Sequence, residues 1–329
     1  MRLFVSGGAG YVGSVVTEHL LGAGHEVVVF DDLSTGHRTA VPKAAHFVRG
    51  DVRDAAALER ALAPGTDAIL HFAGRSIVPD SMRDPVGYWD HNMGGALALL
   101  RAAMARGVPR WVFSSSAAVY GTQGREPIAE TAPLRPEHAY GGSKRGIEML
   151  LEDACRTTAM RAVALRYFNA AGASAERGED HAPETHLIPR LLRAALEGGA
   201  PVVVYGEDWP TPDGTCVRDY VHVEDLARAH VQALEGLDQG VSGALNLGTT
   251  AGHSVREILT VARRVTGCPI PVTVGARRSG DPAWLVADAS RARRELGWQP
   301  QATLDDVVRS AWDWMRAHPA GYGGGGGAE

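Results

Sequence analysis

Through the first half of the chain, short apolar and β-branched runs alternate with longer stretches whose apolar residues recur at helical spacing. The runs Leu3–Ser6, Glu26–Phe30, His46–Arg49, Ala68–His71, Trp111–Ser114 and Ala162–Arg166 predict strands. Between them the spacing predicts helices over 12–22, 54–63, 85–106 and 139–158. Strands with so few polar positions suit burial on both faces. Alternation with helices then predicts an α/β fold, a Rossmann-type doubly wound parallel sheet.

After about residue 170 the pattern loosens. Glycine, proline and charge gather at 178–185, 207–215 and 275–282, which predicts loops. Strands are expected at Pro201–Tyr205 and Ala244–Leu247, and helices over 187–197, 223–236, 255–266 and 303–317. The expected division is a first domain over 1–170 and a smaller C-terminal lobe over 171–320, with some later segments returning to the first domain. The glycine-rich stretch 321–329 is expected to be a disordered tail that cannot pack.

Composition narrows the function classes. The net charge of −5 offers no basic field for nucleic acid. No apolar stretch reaches the length of a membrane span, and the first apolar run is too short for a signal peptide. Cys155, Cys216 and Cys268 are odd in number and far apart, and they lack a C-x-x-C spacing. They read as reduced thiols of a cytoplasmic protein. His181, Glu184 and His186 share a loop without helical spacing, so no metal site is expected.

The chemistry-bearing residues fall at the ends of the predicted strands. Gly7-Gly8-Ala9-Gly10-Tyr11-Val12-Gly13 follows the first strand and opens the first helix, a turn whose backbone N–H groups can approach a pyrophosphate. Asp31 and Asp32 end the second strand, where a carboxylate can bond an adenosine ribose and repel a 2′-phosphate. The pattern points to NAD. Asp51, after the third strand, is expected beside the adenine. Ser114-Ser115-Ser116 ends the fifth strand at the carboxyl edge, where ligands of open parallel sheets bind. Tyr140 and Lys144 sit one turn apart on a predicted helix. A free tyrosine has a pKa of about 10, and the ammonium is expected to stabilise the phenolate as a base for an alcohol.

These segments resemble the extended short-chain dehydrogenase/reductases and, within them, the UDP-glucose 4-epimerases. The resemblance runs from Met1 through Tyr322. It is carried most specifically by Gly7–Ser14, His71-Phe72-Ala73-Gly74, Phe113–Gly121, Tyr140–Lys144, Arg166-Tyr167-Phe168-Asn169, Pro210–Val223 and the ending His318–Tyr322. It implies an NAD domain followed by a UDP-sugar lobe. It also implies 4-epimerisation of a UDP-hexose through a transient 4-keto sugar, with Tyr140 as base, Ser116 steadying the oxygen and Lys144 behind them.

Matched position by position, Gly7, Gly10, Tyr11, Val12 and Gly13 would contact NAD, as would Asp31, Asp32, Leu33, Ser34, Thr35 and Gly36. Asp51, Val52, Phe72, Ala73, Gly74, Ser76 and Phe168 complete that set, with Tyr140 and Lys144. Asn169, His186, Leu187, Val203, Tyr205, Arg218, Arg278, Asp281 and Leu285 would contact the UDP-sugar, with Leu285 beside the hexose C2 substituent. Arginine suits a diphosphate because its rigid fork donates two charge-assisted bonds.

The chain departs from the pattern at Ser76 (lysine in some members), His91 and His186 (asparagine in many) and Ala118 (threonine in many). N-acetylhexosamine, pentose and uronate nucleotides stay open as substrates. A dehydratase on the same scaffold would need an acid and a base after the serine, where Ala117 and Ala118 stand. A non-catalytic NAD-sensing regulator would not need Ser116, Tyr140 and Lys144 together. A homodimer is expected through the two long helices 85–106 and 139–158.

Overall fold

The structure is a computed structural model that describes residues 1–278 and 280–324. Its strands are β1 (Arg2–Ser6), β2 (Glu26–Asp31), β3 (His46–Arg49), β4 (Ala68–His71), β5 (Arg110–Ser116), β6 (Arg161–Tyr167) and β7 (Asn169–Ala171). They continue as β8 (Val202–Tyr205), β9 (Val217–His222), β10 (Gly243–Leu247), β11 (Gly252–Ser254), β12 (Val272–Gly275) and β13 (Trp284–Leu285). The helices are α1 (Tyr11–Gly22), α2 (Ala55–Ala61), α3 (Val78–Arg83), α4 (Pro85–Tyr88), α5 (Gly95–Ala105) and α6 (Ala139–Thr157). Then come α7 (Leu187–Glu197), α8 (Val223–Gly236), α9 (Val255–Thr266), α10 (Ser290–Leu296) and α11 (Leu304–Ala317).

Seven parallel strands form the main sheet in the order β10-β6-β5-β4-β1-β2-β3. Alternation along β1 divides the core. Leu3 and Val5 face α1 and α8, with Val16, Leu226 and Leu234, while Phe4 faces the opposite layer, with Leu58, Leu99, Trp111 and Ile147. Each fully buried side chain of this size contributes about 1.5–3 kcal/mol. The chain leaves β1 for β2 and β3 and returns to the other side as β4. A crevice therefore opens at the carboxyl ends of β1 and β4, the switch point of the sheet.

The lobe has its own small sheet, in which β9 pairs with β7, β11 and β13, and a separate β8–β12 pair. Its core gathers Ile188, Leu192, Ile258, Val308 and Trp312 from α7, α9 and α11. The division near residue 170 is not one cut. β10 is the edge strand of the main sheet and α8 packs on its α1 face, so both belong to the first domain.

Two expectations need correction. The long helix expected at 85–106 is interrupted by a π-helical turn at Trp89–Gly94. The expected tail begins too early, because Gly321–Gly324 form a 3-10 turn and Tyr322 is docked. Its ring stacks on His37 at 5.0 Å and its amide donates to Asp180 at 2.9 Å. The Gly178 amide donates to its hydroxyl at 3.1 Å. Residues 325–329 of that tail lie outside the described residues.

Two buried histidines make the first domain sensitive to acid. His230 donates from Nδ1 to the Leu226 carbonyl at 2.8 Å and meets the Tyr167 hydroxyl through Nε2. Burial pushes its pKa down to about 4. His71, bonded to the Ser6 hydroxyl at 2.7 Å, is pushed down to about 3 by burial, with the charge of Lys144 adding to the effect. Both rings titrate near 6.5 in an unfolded chain, so unfolding takes up protons below that pH. The stability contributed by the neutral rings is complete above about pH 6.5 and is lost as pH falls, at up to about 1.4 kcal/mol per unit for each ring. Urea unfolding of His230→Gln from pH 6.5 to 4.5 should show a slope shallower by about one proton than the parent. An identical slope would contradict the buried neutral state.

Candidate active site

A cavity of about 1340 Å³ runs along the carboxyl edge of the main sheet, from the glycine turn to α7, β8, Arg278 and the 280–285 segment. It exceeds the roughly 300–1,000 Å³ of a site for one drug-sized ligand. At its first end the glycine turn is as compact as a dinucleotide site needs. Gly7 has φ +77°, and a Cβ there would lie 2.3 Å from the Ala73 nitrogen. A Cβ on Gly13 would lie 2.2 Å from the Gly7 carbonyl oxygen. Only glycine lets the turn, the start of α1 and the end of β4 approach this closely.

Asp31 ties β2 to the same turn. Its carboxylate accepts from the Ala9 amide at 3.0 Å and the Leu33 amide at 2.9 Å. Burial raises its pKa, and the two amide bonds offset part of the rise. Asp31, Asp32, Ser34, Thr35 and Gly36 all line the cavity. Two expected cofactor contacts do not. Leu33 turns toward the core. Asp51 is held by Arg53, through Nε at 3.0 Å and Nη2 at 2.6 Å, and its pKa is lowered to about 2 chiefly by the hydrogen bond from that guanidinium. Arg53 itself stands in the wall.

The centre of the cavity is built by β5 and α6. Strand alternation separates the three serines. All three reach the cavity wall, but the Ser115 hydroxyl is turned aside to donate to Glu148 at 2.7 Å. Tyr140 opens into the same space, and burial pushes its phenol above the ordinary value, with the Ser116 hydroxyl offsetting part of that rise. Lys144 is buried, donates to the Ser114 carbonyl at 2.8 Å and lies 5.9 Å from the Tyr140 ring centroid. Burial lowers its pKa to about 8, against the pull of Glu148. The expectation that Lys144 by itself keeps the phenol ionised is therefore corrected. Its ammonium sits beneath the ring, bonded to the strand rather than to the phenolic oxygen.

Beneath them, Arg166 makes two 2.8 Å bonds to the Glu148 carboxylate and a third to the Tyr120 hydroxyl. This buried network fixes the spacing between β5, β6 and α6.

The far end is cationic. Arg218 lies 3.8 Å from Asp281, and Arg278 lies over the Tyr205 ring at 3.8 Å from its centroid. The hydrogen bond from Arg278 lowers the Tyr205 pKa. Asn169 donates its side-chain amide to the Asp219 carbonyl at 2.9 Å, and Leu187, Val203 and Leu285 complete the apolar wall. Every expected sugar-nucleotide contact lines this end.

Sequence reasoning missed Arg190, one turn after His186 on α7. It also missed Glu179 and His138, whose ring lies parallel to Tyr140 at 6.0 Å, while Arg75, inside the expected run from Phe72 to Ser76, lines the cavity too. The i, i+4 relation to His186 could have found Arg190; the others come together only by folding.

Around His186 the fold assembles a quartet. His186 Nδ1 is 2.6 Å from Glu179 and 3.2 Å from Glu184, and His181 Nδ1 is 3.1 Å from Glu179. Burial opposes protonation of both rings, but the carboxylates win and raise His181 to about 9 and His186 to about 10.

The "NAD dependent epimerase/dehydratase family" description matches residues 3–248. The UDP-glucose 4-epimerase of Lacticaseibacillus casei is 48% identical over 328 residues, covering 98% of this chain and 99% of that protein. The crystal structure of UDP-glucose 4-epimerase from Brucella ovis in complex with NAD superposes with a TM-score of 0.92 at 44% identity, over 95% of this chain and 98% of that one. The Bifidobacterium longum enzyme in complex with NAD+ and UDP gives 0.93 at 37% identity, over 98% of this chain and 100% of that one. Glycine turn, strand-end serine, Tyr140 and Lys144 thus lie within an alignment that spans nearly the whole fold, and the chain belongs to the NAD dependent epimerase/dehydratase family.

Proposed function

We propose that this chain is an NAD-dependent UDP-glucose 4-epimerase that interconverts UDP-glucose and UDP-galactose. The observation that carries this is one continuous cavity with a dinucleotide cradle at one end, arginines at the other, and Ser116, Tyr140 and Lys144 at the junction. Relatives aligned over the whole length bear that activity in their names.

The glycine turn, Asp31, Asp32 and Ser34 to Gly36 would hold NAD, with Asp31 and Asp32 toward the adenosine ribose. Lys144 would face the nicotinamide ribose. When bound, NAD supplies an acceptor and donor for the C4 hydrogen with its bonding electrons, and a positively charged oxidised ring. Tyr140 takes the proton from the sugar O4 and later returns it. Ser116 donates to that oxygen throughout. Because burial holds the phenol protonated and Lys144 lies beneath it, full ionisation needs positive charge in the cavity beyond the ammonium.

Arg218, Arg278 and Arg190 would clamp the UDP diphosphate while the sugar, walled by Leu285 and Val203, turns over as the 4-ketone. Tight holding of one end and loose holding of the other is what epimerisation requires. Ala117 and Ala118, which cannot move a proton, argue against dehydration. Tyr140→Phe should lower turnover of UDP-galactose by about 10²–10⁴-fold while NAD stays bound, read by coupled assay and by cofactor content after gel filtration. Turnover near the parent's would remove Tyr140 as the base.

A homodimer through α4–α5 and α6 is part of the same proposal. Val86 on α4, Trp89 in the π-helical turn and Met149 on α6 leave 77%, 42% and 52% of their surface exposed. Val86→Glu with Met149→Glu should convert a dimer to a monomer in sedimentation; a parent chain that sediments as a monomer would contradict the interface. We also place the chain in the cytosol. Its three cysteines are unpaired, and no described helix is long and apolar enough to cross a membrane.

A further inference from the structure

We propose that Glu179, His181, Glu184 and His186 form a binding site for one divalent transition-metal ion, with Zn²⁺ the best match, in the wall of the cavity at the start of α7. Sequence spacing gave no reason to expect it, because the three residues visible in the loop lack a ligand pattern on any one element. Folding adds Glu179 and turns the loop on itself, so that one donor atom from each of the four side chains lies within 4.8 Å of the others.

A tetrahedral ion with bonds of about 2.0–2.2 Å needs donor atoms roughly 3.3–3.6 Å apart. The contacts straddle that spacing. Glu179 Oε1 lies 2.6 and 3.1 Å from the two Nδ1 atoms, Glu184 Oε1 lies 3.2 Å from His186, and Glu184 Oε2 lies 3.7 Å from His181. Taking one oxygen of Glu184, the 2.6 Å pair must open by about 0.8 Å and the donors separated by up to 4.8 Å must close by up to about 1.5 Å to reach that spacing.

A second observation concerns Glu184. Its side chain is only 7% exposed, and Oε2 has no hydrogen-bond partner among the described residues. Two ring N–H groups cannot satisfy both carboxylates, and an unpaired buried carboxylate oxygen is costly. A cation between the four side chains supplies the missing partner.

The donor set selects the ion. Two imidazoles with two carboxylates suit Zn²⁺, whereas Mg²⁺ and Ca²⁺ prefer oxygen alone. The surroundings are anchored as well. Asp180, between two of the ligands, accepts from the Tyr322 amide at 2.9 Å, and the edge of the His181 ring meets Tyr11 at 6.4 Å. The ion would therefore pin the loop that starts α7 and ends on Leu187.

The test uses the full chain, freed of metal by chelator and then titrated with ZnCl₂, with bound zinc measured by mass spectrometry after desalting. One equivalent per chain is expected, together with a zinc-dependent rise in melting temperature. Millimolar Mg²⁺ should not displace it, and Glu184→Gln and His181→Asn should each weaken it at least tenfold. Absence of a retained equivalent and of any melting shift in the parent would overturn the site. So would an equivalent that both folded variants keep, because the zinc would then be bound elsewhere. The readout is binding, so it stands apart from whether the chain epimerises UDP-sugars.

Discussion

The bond from Lys144 to the Ser114 carbonyl, 2.8 Å long and buried, is the contact on which the arrangement of the site depends. It fastens α6 to the carboxyl end of β5 and so helps set the spacing between the Tyr140 phenol and the Ser116 hydroxyl. It also keeps an ammonium in a place where burial opposes its charge. That is tolerable because Glu148 lies one turn further along α6, itself neutralised by Arg166. The positive charge beneath the phenol is therefore weaker than Tyr140 and Lys144 alone would suggest. Ionisation of the base becomes a property of the occupied cavity rather than of the two residues.

The sheet explains why the two ligand ends meet at this point. The reversal between β1 and β4 opens the crevice where the glycine turn sits, and β5 delivers its serines to the same edge. Beyond them β7 pairs with β9 of the arginine-bearing lobe. Under the proposed function, a dinucleotide and a nucleotide sugar approaching from opposite ends would meet over Ser116 and Tyr140. Catalytic groups at that junction follow from topology as much as from side-chain chemistry.

Much of this was legible in the sequence, because parallel strands announce themselves as apolar runs and the glycine turn has few structural alternatives. Tyr140, Lys144 and Ser116, singled out by the sequence, all line the cavity. What escaped depended on long-range contact. Asp51 looked available beside the adenine until Arg53 claimed its carboxylate. Tyr322 looked free in a glycine-rich ending, yet His37, Asp180 and Gly178, distant in sequence, give it a dock. The π-helical turn at Trp89–Gly94 leaves the apolar spacing nearly unchanged, so periodicity could not reveal it. Glu179 joined the histidines only when the loop closed.

The account turns on a phenol that burial keeps protonated until further positive charge enters the cavity. The direct measurement is ultraviolet difference titration of Tyr140, taken as parent minus Tyr140→Phe, with NAD bound and with NAD removed. Phenolate absorbance should develop above the ordinary tyrosine range without NAD and at distinctly lower pH with it. Phenolate already present at neutral pH in the NAD-free protein would contradict the account.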